Sequence, residues 1–278
     1  MVTIDPSARV SKTAVIEDDV VIGPWVIVED EVIVGTGTRI DANCIIRKGT
    51  TIGQYNEIHP HVIIGEEPQD LSFEKNAVSY VQIGNHNTIR EFATIHRGTD
   101  PESTTVIGNH NLLMAVSHVA HNCHIGDHVV VCNGALLSGH VEVENYGFVS
   151  GGVVVQQFAR IGKLAFVGGN TRVNVNIPPF IRAVGYNAEA YGLNVVGLKR
   201  RGFSRETISA LNRANKILFR SKGRLEERLK RIEEEVDSDE ARYLVDFIRT
   251  PSRYGFCREV KLRVVDDLMP VPEKIALV

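Results

Sequence analysis

Three of the four histidines between residues 109 and 126 lie close together, with a cysteine among them. They are His118, His121, Cys123 and His124. An imidazole gains and loses its proton near neutral pH, so such a cluster can supply a general base. A thiol can act as a nucleophile, and imidazole nitrogens are also common zinc ligands. The stretch therefore offers candidates for three kinds of chemistry.

A regular spacing links this stretch to two later positions. His121, Gly139 and Gln157 are 18 residues apart, and His140 and Gln156 lie beside two of them. If 18 residues make one coil of a repeat, these residues stack on one face. A base, a backbone N–H without a shielding side chain, a second histidine and two amides suit acyl transfer. That reaction needs a base for the attacking group and an N–H donor for the oxyanion.

Each of these residues also has a purely structural interpretation. An outward histidine on a repeat protein is commonly a surface or subunit-contact residue, His118 could only orient a neighbour, and Gly139 could only make a turn. His118 and His121 do not have a standard zinc-ligand spacing along one strand, and no acidic residue close in sequence would orient them. The spacing favours His121 as a general base, and we expect no metal.

The elements that position these residues follow a six-residue period. Ile, Val or Leu recurs at every sixth position from Ile4 to Ile64, from Ile83 to Ile95 and from Ile107 to Val173. Neither a helix nor a simple strand has this period, so each hexad is one short extended segment and a turn. Three hexads close a coil, and coils stacked at strand spacing, roughly 4.8 Å, bury what one coil cannot.

Two positions of each hexad are predicted to face inward. They are the aliphatic position and the position four residues later, which is usually small or β-branched; Cys123 occupies one of the latter, which argues against a covalent nucleophile. The residue after the aliphatic one is often glycine, as at Gly23, Gly53 and Gly108, which we interpret as a sharp corner. The other positions, including all three histidines, are then expected to face outward.

The period fails twice, and the chain must leave the prism there. The first excursion, from Glu66 to Tyr80, contains Gln69 and Asp70, whose side chains suit contacts with sugar hydroxyls. A shorter one runs from about Thr99 to Thr105. Long loops on rigid scaffolds are often functional, although repeat proteins also tolerate insertions without function.

The last third of the chain changes to a helical pattern. After Pro178 and Pro179 we expect an extended connection to about Val196 and then three helices, one capped by Ser204 and ended by Gly223, one from Leu225 to about Val236, and one from near Ser238 to Pro251. We divide the chain into a repeat domain of residues 1–184 and a helical domain of residues 185–278. The helices could cover the open end of the prism, whose strand edges are otherwise unpaired.

Basic residues gather at the start of the helical domain. Such a run could be a solvated face, or it could receive an acidic protein or phosphates. Its members are Lys199, Arg200, Arg201, Arg205, Lys216, Arg220, Lys222 and Arg224.

Composition excludes several classes of protein. The formal charge is only −3 over 278 residues, which does not suggest a nucleic-acid partner. The N-terminus has no signal-peptide core and no stretch has the length and apolarity of a membrane span. The four cysteines, Cys44, Cys123, Cys132 and Cys257, form no evident framework. We therefore expect a cytoplasmic protein with reduced thiols.

The chain resembles the UDP-N-acetylglucosamine acyltransferase (LpxA) family in an ordered series of motifs that the period does not explain. The motifs are PQDL (68 to 71), IHRGT (95 to 99), NLLM (111 to 114), HVAH (118 to 121), LSGHV (137 to 141), QF (157 to 158), IPPF (177 to 180) and GLKRRGFS (197 to 204). Hexads alone are shared by many acyltransferases, whereas this ordered set is specific. The resemblance extends from the first hexads to about Gly255.

The resemblance implies a mainly β fold, a left-handed parallel β-helix of hexapeptide repeats with a C-terminal α-helical domain. It also implies a homotrimer with active sites between subunits. In such proteins the 3-hydroxyl of UDP-N-acetylglucosamine attacks the thioester of a hydroxyacyl-acyl carrier protein, the first step of lipid A synthesis. No cofactor, metal or acyl-enzyme is required.

The resemblance also implies residue roles. His121 matches the general base and Gly139 the oxyanion donor. Gly169 matches the position where residue size limits the acyl chain, so that glycine permits a longer chain, and Phe166 could narrow the same groove. Further residues match substrate-positioning sites (Asp70, His118, His140 and Gln157) or sites near the nucleotide or donor (Asn194, Arg200 and Arg201).

Four positions depart from the family pattern. Ser72 replaces a usual lysine, Gln156 a common histidine, Val196 a glutamate, and Asn122 a usual aspartate. These changes leave open an acceptor with a 3-amine, which would give an amide. Two further hypotheses are a zinc enzyme similar to γ-class carbonic anhydrases and a non-catalytic solenoid that binds the carrier protein or a sugar nucleotide. The tail after Cys257 extends beyond the usual family end.

Overall fold

The computed structural model describes residues 1–259 as a prism of short strands followed by four helices. Nearly all of the tail after Cys257, residues 260–278, lies outside the described residues. The strands are β1 Thr3–Ile4, β2 Arg9–Val10, β3 Val15–Ile16, β4 Val21–Ile22, β5 Ile27–Val28, β6 Ile33–Val34, β7 Arg39–Ile40, β8 Ile45–Ile46, β9 Thr50–Ile52, β10 Glu57–Ile58, β11 Ile63–Glu66, β12 Tyr80–Ile83, β13 Thr88–Ile89, β14 Thr94–His96, β15 Thr104–Ile107, β16 Leu112–Leu113, β17 His118–Val119, β18 His124–Ile125, β19 Val130–Val131, β20 Leu136–Leu137, β21 Glu142–Val143, β22 Phe148–Val149, β23 Val154–Val155, β24 Arg160–Ile161, β25 Phe166–Val167, β26 Arg172–Val173, β27 Ile181–Val184 and β28 Glu189–Leu193. The helices are α1 Val195–Arg200, α2 Arg205–Arg220, α3 Leu225–Glu235 and α4 Asp239–Arg249.

Successive coils pair in parallel through equivalent residues. Thr3 of β1 pairs with Val21 of β4, for example, and Ile4 with Ile22. Every third strand therefore falls in the same sheet, which gives sheet 1 (β1-β4-β7-β10-β13-β16-β19-β22-β25-β27-β28), sheet 2 (β2-β5-β8-β11-β14-β17-β20-β23-β26) and sheet 3 (β3-β6-β9-β12-β15-β18-β21-β24). The coil is left-handed, the opposite of the usual crossover hand. The predicted fold class is confirmed.

The three sheets meet at three corners. The chain turns from sheet 3 to sheet 1 at the first corner, from sheet 1 to sheet 2 at the second, and from sheet 2 to sheet 3 at the third. Both predicted inward positions are buried, as in Ile22 and Val26. At the first corner the second inward position also holds Asn56, Asn87 and Asn111, which the sequence analysis did not anticipate. The Asn56 and Asn87 Oδ1 atoms each accept the backbone N–H of the next asparagine, at 2.9 and 2.8 Å, so these two side-chain oxygens are buried but paired.

The repeated glycines lie at corners, as interpreted, but most of them do not have the backbone conformation that makes the turn. Gly53, Gly84 and Gly108 do not have the positive φ of a left-handed turn; that conformation falls two residues later, as at Tyr55 (53°) and His86 (57°). The glycines are needed because the next coil passes so close. A Cβ on Gly53 would lie 2.6 Å from the carbonyl oxygen of Gly84.

The predicted extended connection to about Val196 consists of two extended strands and not of one continuous segment. β27 and β28 form an antiparallel hairpin on the end of sheet 1, and α1 begins at Val195. The three longer helices begin and end close to the predicted residues, and Ser204 caps α2 by accepting the N–H of Thr207 at 3.1 Å. Leu198 of α1 and Leu211 of α2 are fully buried in the same core as the prism. The helical domain therefore covers the C-terminal end of the prism.

After α4 the chain comes back to the prism. We call residues 252–257 the returning segment. It forms a bridge between Phe256 and Asn176 and brings Tyr254 next to the last coils. None of the helices within residues 1–259 is long and apolar enough to cross a membrane.

Candidate active site

Both excursions from the prism leave it at the third corner. Residues 67–79 join β11 to β12, and residues 97–103 join β14 to β15. The two loops hold each other, because the Arg97 guanidinium lies 5.3 Å from the Phe73 ring centroid and 3.5 Å from a Glu67 carboxylate oxygen. The next coils present His121, Gly139 and Gln157 at the same corner. The loops and the repeat thus converge on one place.

His121 lies where the loops meet the corner. It extends away from the aliphatic core, as expected of an outward position, but only 5% of the residue is exposed. Its Nδ1 is 2.5 Å from the Thr99 hydroxyl and 3.0 Å from the Asn122 Oδ1, and its Nε2 is 3.7 Å from a carboxylate oxygen of Asp70. Loop residues 51 and 22 positions earlier in the sequence therefore supply partners for the two ring nitrogens.

The contacts of Nδ1 determine where the imidazole proton lies. Asn122 Oδ1 accepts the backbone N–H of Thr99 at 2.9 Å, which identifies that atom as the amide oxygen. A carbonyl oxygen cannot donate, so the His121 Nδ1 must carry the hydrogen in that contact. The lone pair is then on Nε2, which is directed towards Asp70 and Gly139. This is the tautomer that a general base needs.

Asp70 is fixed by its own loop. Its Oδ1 accepts the Ser72 hydroxyl at 2.7 Å and the Ser72 backbone N–H at 2.8 Å. These hydrogen bonds, with smaller contributions from His121 and His140, hold the pKa of Asp70 below its usual range. Ser72, one of the departures from the family pattern, thus keeps a negative charge oriented towards His121.

Gly139 is packed directly against His121. A Cβ at this position would lie 2.4 Å from both Cε1 and Nε2 of the ring, so any larger residue would displace the His121 ring. Its φ is not in the left-handed region, which excludes turn-making as the reason. Within residues 1–259 no acceptor occupies its backbone N–H. An N–H beside the Nε2 of a histidine can stabilise an oxyanion formed there.

Three more histidines surround the site in states that disfavour charge. Burial lowers the pKa of His118, whose Nδ1 lies 2.7 Å from the Thr94 hydroxyl, and lowers the pKa of His96 to about 4. Burial, followed by the charge of His121, lowers the pKa of His140, which contacts His121 edge to face at 5.2 Å. Neutral neighbours leave His121 free to accept a proton.

The three glutamines considered in the sequence analysis, Gln69, Gln156 and Gln157, differ in their surroundings. Gln157 and Gln69 are exposed at the corner and on the loop. Gln156 is half-buried, and its Nε2 donates to the Tyr254 hydroxyl at 2.7 Å. The two exposed amides are available to a ligand, whereas the Gln156 amide is hydrogen-bonded to Tyr254 of the returning segment.

The structure does not bring Asn194, Arg200 and Arg201 to His121 within one chain. Asn194 caps α1 by accepting the N–H of Gly197 at 3.0 Å. Arg200 is exposed, and the guanidinium of Arg201 lies 4.2 Å from the ring centroid of Tyr146. Tyr146 belongs to the first corner, whereas His121 belongs to the third. These candidates therefore lie on a different edge of the prism.

Gly169 and Phe166 also lie on separate surfaces. Phe166, in β25 of sheet 1, stacks on Phe148 at 5.2 Å. Gly169 is exposed at the second corner, where a Cβ would lie 3.4 Å from the Gly151 carbonyl oxygen. Sheet 2 separates this corner from His121, and its outer face carries the half-exposed side chains of Leu136 and Val154. An apolar surface thus lies between the two corners.

Nucleophilic and metal chemistry fit this site poorly. Cys123 is fully buried in the core, and burial raises the pKa of its thiol to about 12, so it is not a nucleophile. In the part of the chain that the structure describes, no three histidine, cysteine or acidic side chains are arranged to hold a metal ion. All four cysteines are free and buried.

The sequence analysis did not assign a role to Thr99, His96 or Arg253. Thr99 lies within the IHRGT motif at 95 to 99, which was the available signal, but its contact depends on how a loop folds. Arg253 is far from His140 in sequence, and its guanidinium lies 3.6 Å from the ring centroid of Phe158. No periodic pattern could have indicated that contact.

Comparisons with known proteins identify relatives of this chain. Residues 176–257 match the model of the second domain of UDP-N-acetylglucosamine O-acyltransferase, and residues 13–48 and 104–139 match bacterial transferase hexapeptide repeats. The acyl-[acyl-carrier-protein]–UDP-N-acetylglucosamine O-acyltransferase of Thermodesulfovibrio yellowstonii is 46% identical over 92% of this chain and 99% of its own. That of Ectopseudomonas mendocina is 48% identical over 79% of this chain and 85% of its own.

Solved structures lead to the same family. The UDP-N-acetylglucosamine acyltransferase of Francisella novicida is 35% identical and superposes with a TM-score of 0.89, covering 94% of this chain and 95% of that one. The enzyme of Bacteroides fragilis is 37% identical, with a TM-score of 0.88 over 92% of this chain and 100% of that one. The fold is thus shared with these proteins over nearly their whole length, and the chain belongs to the UDP-N-acetylglucosamine O-acyltransferase family.

Proposed function

We propose that this protein transfers a hydroxyacyl group from acyl carrier protein to the 3-hydroxyl of UDP-N-acetylglucosamine, the first step of lipid A synthesis. The observation that carries this proposal is the arrangement at the third corner, where the free Nε2 of His121 faces Asp70 and the unoccupied N–H of Gly139. The close relatives carry the same activity in their names.

The geometry supports a direct transfer with His121 as the base. Nε2 takes the proton of the sugar hydroxyl while its oxygen attacks the thioester carbon. The Gly139 N–H stabilises the oxyanion, and Asp70, 3.7 Å from Nε2, stabilises the imidazolium that forms. When the C–S bond breaks, the imidazolium returns the proton to the departing thiolate of the carrier. No group on the protein is acylated.

The substrate-binding residues divide between two subunits in this proposal. Asp70, His118, His140 and the exposed Gln69 and Gln157 surround the third corner, whereas Asn194, Arg200 and Arg201 lie at α1 and the first corner. A homotrimer would place the first corner of one subunit against the third corner of the next and complete the site. The incomplete site within one chain supports this assembly.

The apolar face of sheet 2 suits the acyl chain. It leads from His121 towards Gly169, where no side chain blocks the second corner, so a longer chain can be accommodated. Phe166 lies on sheet 1 and could narrow the groove only from a neighbouring surface. The basic residues from Lys199 to Arg224 are exposed and would receive the acidic carrier protein. Such a donor, and four buried free thiols, support a cytoplasmic location.

The proposal is tested by offering the purified protein a mixture of hydroxyacyl-acyl carrier proteins with UDP-N-acetylglucosamine or its 3-amino analogue. Mass spectrometry identifies the product, and mild base, which cleaves an ester and spares an amide, identifies the bond. We expect an ester on the hydroxyl acceptor. Product on the amino acceptor alone would show an N-acyltransferase, and no product on either would indicate a solenoid that only binds these molecules.

A further inference from the structure

The returning segment is fastened to the last coil by one buried asparagine. The Nδ2 of Asn176 donates to the Ser252 hydroxyl and to the Tyr254 carbonyl oxygen, both at 2.8 Å. Its backbone N–H donates to the Gly255 carbonyl oxygen, and its carbonyl oxygen accepts the N–H of Cys257, both at 2.9 Å. Asn176 is 5% exposed. These four hydrogen bonds give the segment a defined place above the third corner.

From that place, a stack of planar groups leads down the corner. The Arg253 guanidinium lies 3.6 Å from the ring centroid of Phe158. The Phe158 ring lies parallel to that of His140, with centroids 4.5 Å apart and planes at 12°. His140 then contacts His121 edge to face at 5.2 Å. A second contact runs alongside, from the Gln156 amide to the Tyr254 hydroxyl.

We infer that Arg253 is a positioning residue of the acyltransferase site, which holds Phe158 on His140 and so fixes the charge and orientation of His140 beside His121. The hydrogen bond between Tyr254 and Gln156 keeps the segment that carries Arg253 in register with the coil. This inference rests on the proposed function. It assigns a role in the reaction to a segment that contacts His121 only through other side chains.

The charges around His140 explain why Arg253 matters. Burial and the positive charges of His121 and Arg253 lower the pKa of His140, whereas Asp100 and Asp70 oppose them. Without the positive charge of Arg253, the two carboxylates would stabilise the protonated form of His140 more effectively, so His140 would be protonated at a higher pH than in the wild type. A cation there would repel the proton that His121 must accept.

Two variants separate charge from stacking. Arg253→Met keeps a long apolar side chain on Phe158 and removes the charge, whereas Arg253→Lys keeps the charge and loses the planar contact. Arg258→Met is the matched control, because Arg258 is an exposed arginine next to the returning segment that stacks on no aromatic ring within residues 1–259. The readouts are the pH profile of kcat/KM and the titration of His140, followed by NMR in protein with labelled histidines. The His140 signal is assigned by its loss in His140→Gln.

For Arg253→Met we expect the titration midpoint of His140 and the acidic limb of the kcat/KM profile both to move to higher pH, by roughly 0.5 pH unit. For Arg253→Lys we expect an unchanged limb and a kcat reduced about 3- to 10-fold, because a misplaced ring costs rate without changing its charge. Variants that behave like Arg258→Met in both readouts would overturn the inference. A shifted titration with an unchanged profile would also overturn it, since the contact would not reach the reaction.

A failure of the proposed function would look different. Wild-type protein that does not acylate either acceptor rejects that function, whatever the Arg253 variants do. The His140 titration in these variants does not depend on turnover and would still show whether Arg253 sets the charge of this side chain.

Discussion

At the scale of single residues, His121 combines an Nδ1 held by Thr99 and Asn122 with an Nε2 that lies beside Asp70 and Gly139. His96, His118 and His140 each have a pKa lowered chiefly by burial, so none competes for the proton. Asn122 takes part in this arrangement by accepting from both the Thr99 N–H and the His121 Nδ1. A neutral amide orients the ring without placing a further charge beside it.

Replacing that amide by a carboxylate tests its role. Asn122→Asp keeps an oxygen acceptor for both donors but adds a negative charge 3.0 Å from Nδ1. A carboxylate stabilises the imidazolium, so His121 would be protonated at higher pH. We expect the acidic limb of the kcat/KM profile to rise by about 1 pH unit. The control is Asn133→Asp, at an exposed position on the second corner, which should leave the kcat/KM profile unchanged. Equal profiles for the two variants would show that Asn122 does not influence the protonation of His121.

Gly139 gives a steric test of the same site. In Gly139→Ala the new methyl group would lie 2.4 Å from the His121 ring and beside the free N–H. We expect kcat to fall about 100-fold or more, as for loss of an oxyanion donor, with little change in the melting temperature. Gly255→Ala is the control, because no atom lies within 4 Å of its added methyl group. Full activity of Gly139→Ala would show that neither the ring position nor the N–H matters.

At the scale of elements, the six-residue period predicted the prism and the inward positions from the sequence alone. Period and spacing also predicted that His121 and Gly139 lie in successive coils. The period could not predict the hairpin of β27 and β28 or the six-residue helix α1, because packing against the prism end, through Leu198 and Phe180, stabilises these short elements. Asp70 and Thr99 lie on loops, where the period carries no information.

The glycines after the aliphatic positions allow successive coils to approach closely, which can be tested by substitution. A Cβ on Gly84 would lie 2.7 Å from the Gly108 carbonyl oxygen and 2.9 Å from its carbon, and backbone cannot move aside cheaply. We expect Gly84→Ala to lower the free energy of unfolding by about 1–3 kcal/mol, as overpacking does. The measurement is denaturant unfolding beside Gly255→Ala. Equal stability of the two variants would contradict the close approach of the coils.

At the scale of the whole molecule, the fold places several histidines where burial lowers their pKa. The folded pKa values of His96, His118 and His140 lie below the unfolded value of 6.5, and that of His96 is about 4. Between these values the folded protein binds fewer protons than the unfolded chain. Its stability therefore falls as the pH is lowered through this range.

Thermal unfolding between pH 7 and 5 measures this effect before most carboxylates titrate. We expect the melting temperature to fall with pH, and to fall less steeply in His96→Gln, which removes one of the three histidines with a lowered pKa. His124→Gln is the control, because His124 is exposed and its replacement should leave the wild-type slope. A His96→Gln protein with the full wild-type slope would show that His96 is not held neutral by the fold.

The candidate site is built from parts of the chain that lie far apart in the sequence. The repeat fixes the third corner, the loops complete it, and the returning segment supports it from the C-terminal end. The motifs near Asn194 and Arg201 indicated binding residues, but one chain leaves them at the first corner. In the proposed homotrimer a neighbouring subunit would bring them to the third corner, and spacing along one chain carries no information about such a contact.

The most direct test of the central claim compares His121→Ala with His124→Ala. Each variant loses one imidazole from the same stretch, but only His121 has a free Nε2 beside Asp70 and Gly139. Two quantities are measured for each variant. The first is the turnover of hydroxyacyl-acyl carrier protein and UDP-N-acetylglucosamine, and the second is the mass of the assembly, which for a trimer is three times the 30.7 kDa of one chain. We predict an intact assembly for both variants, with kcat/KM reduced about 100-fold or more in His121→Ala alone. An intact His121→Ala protein with near wild-type turnover would contradict the account.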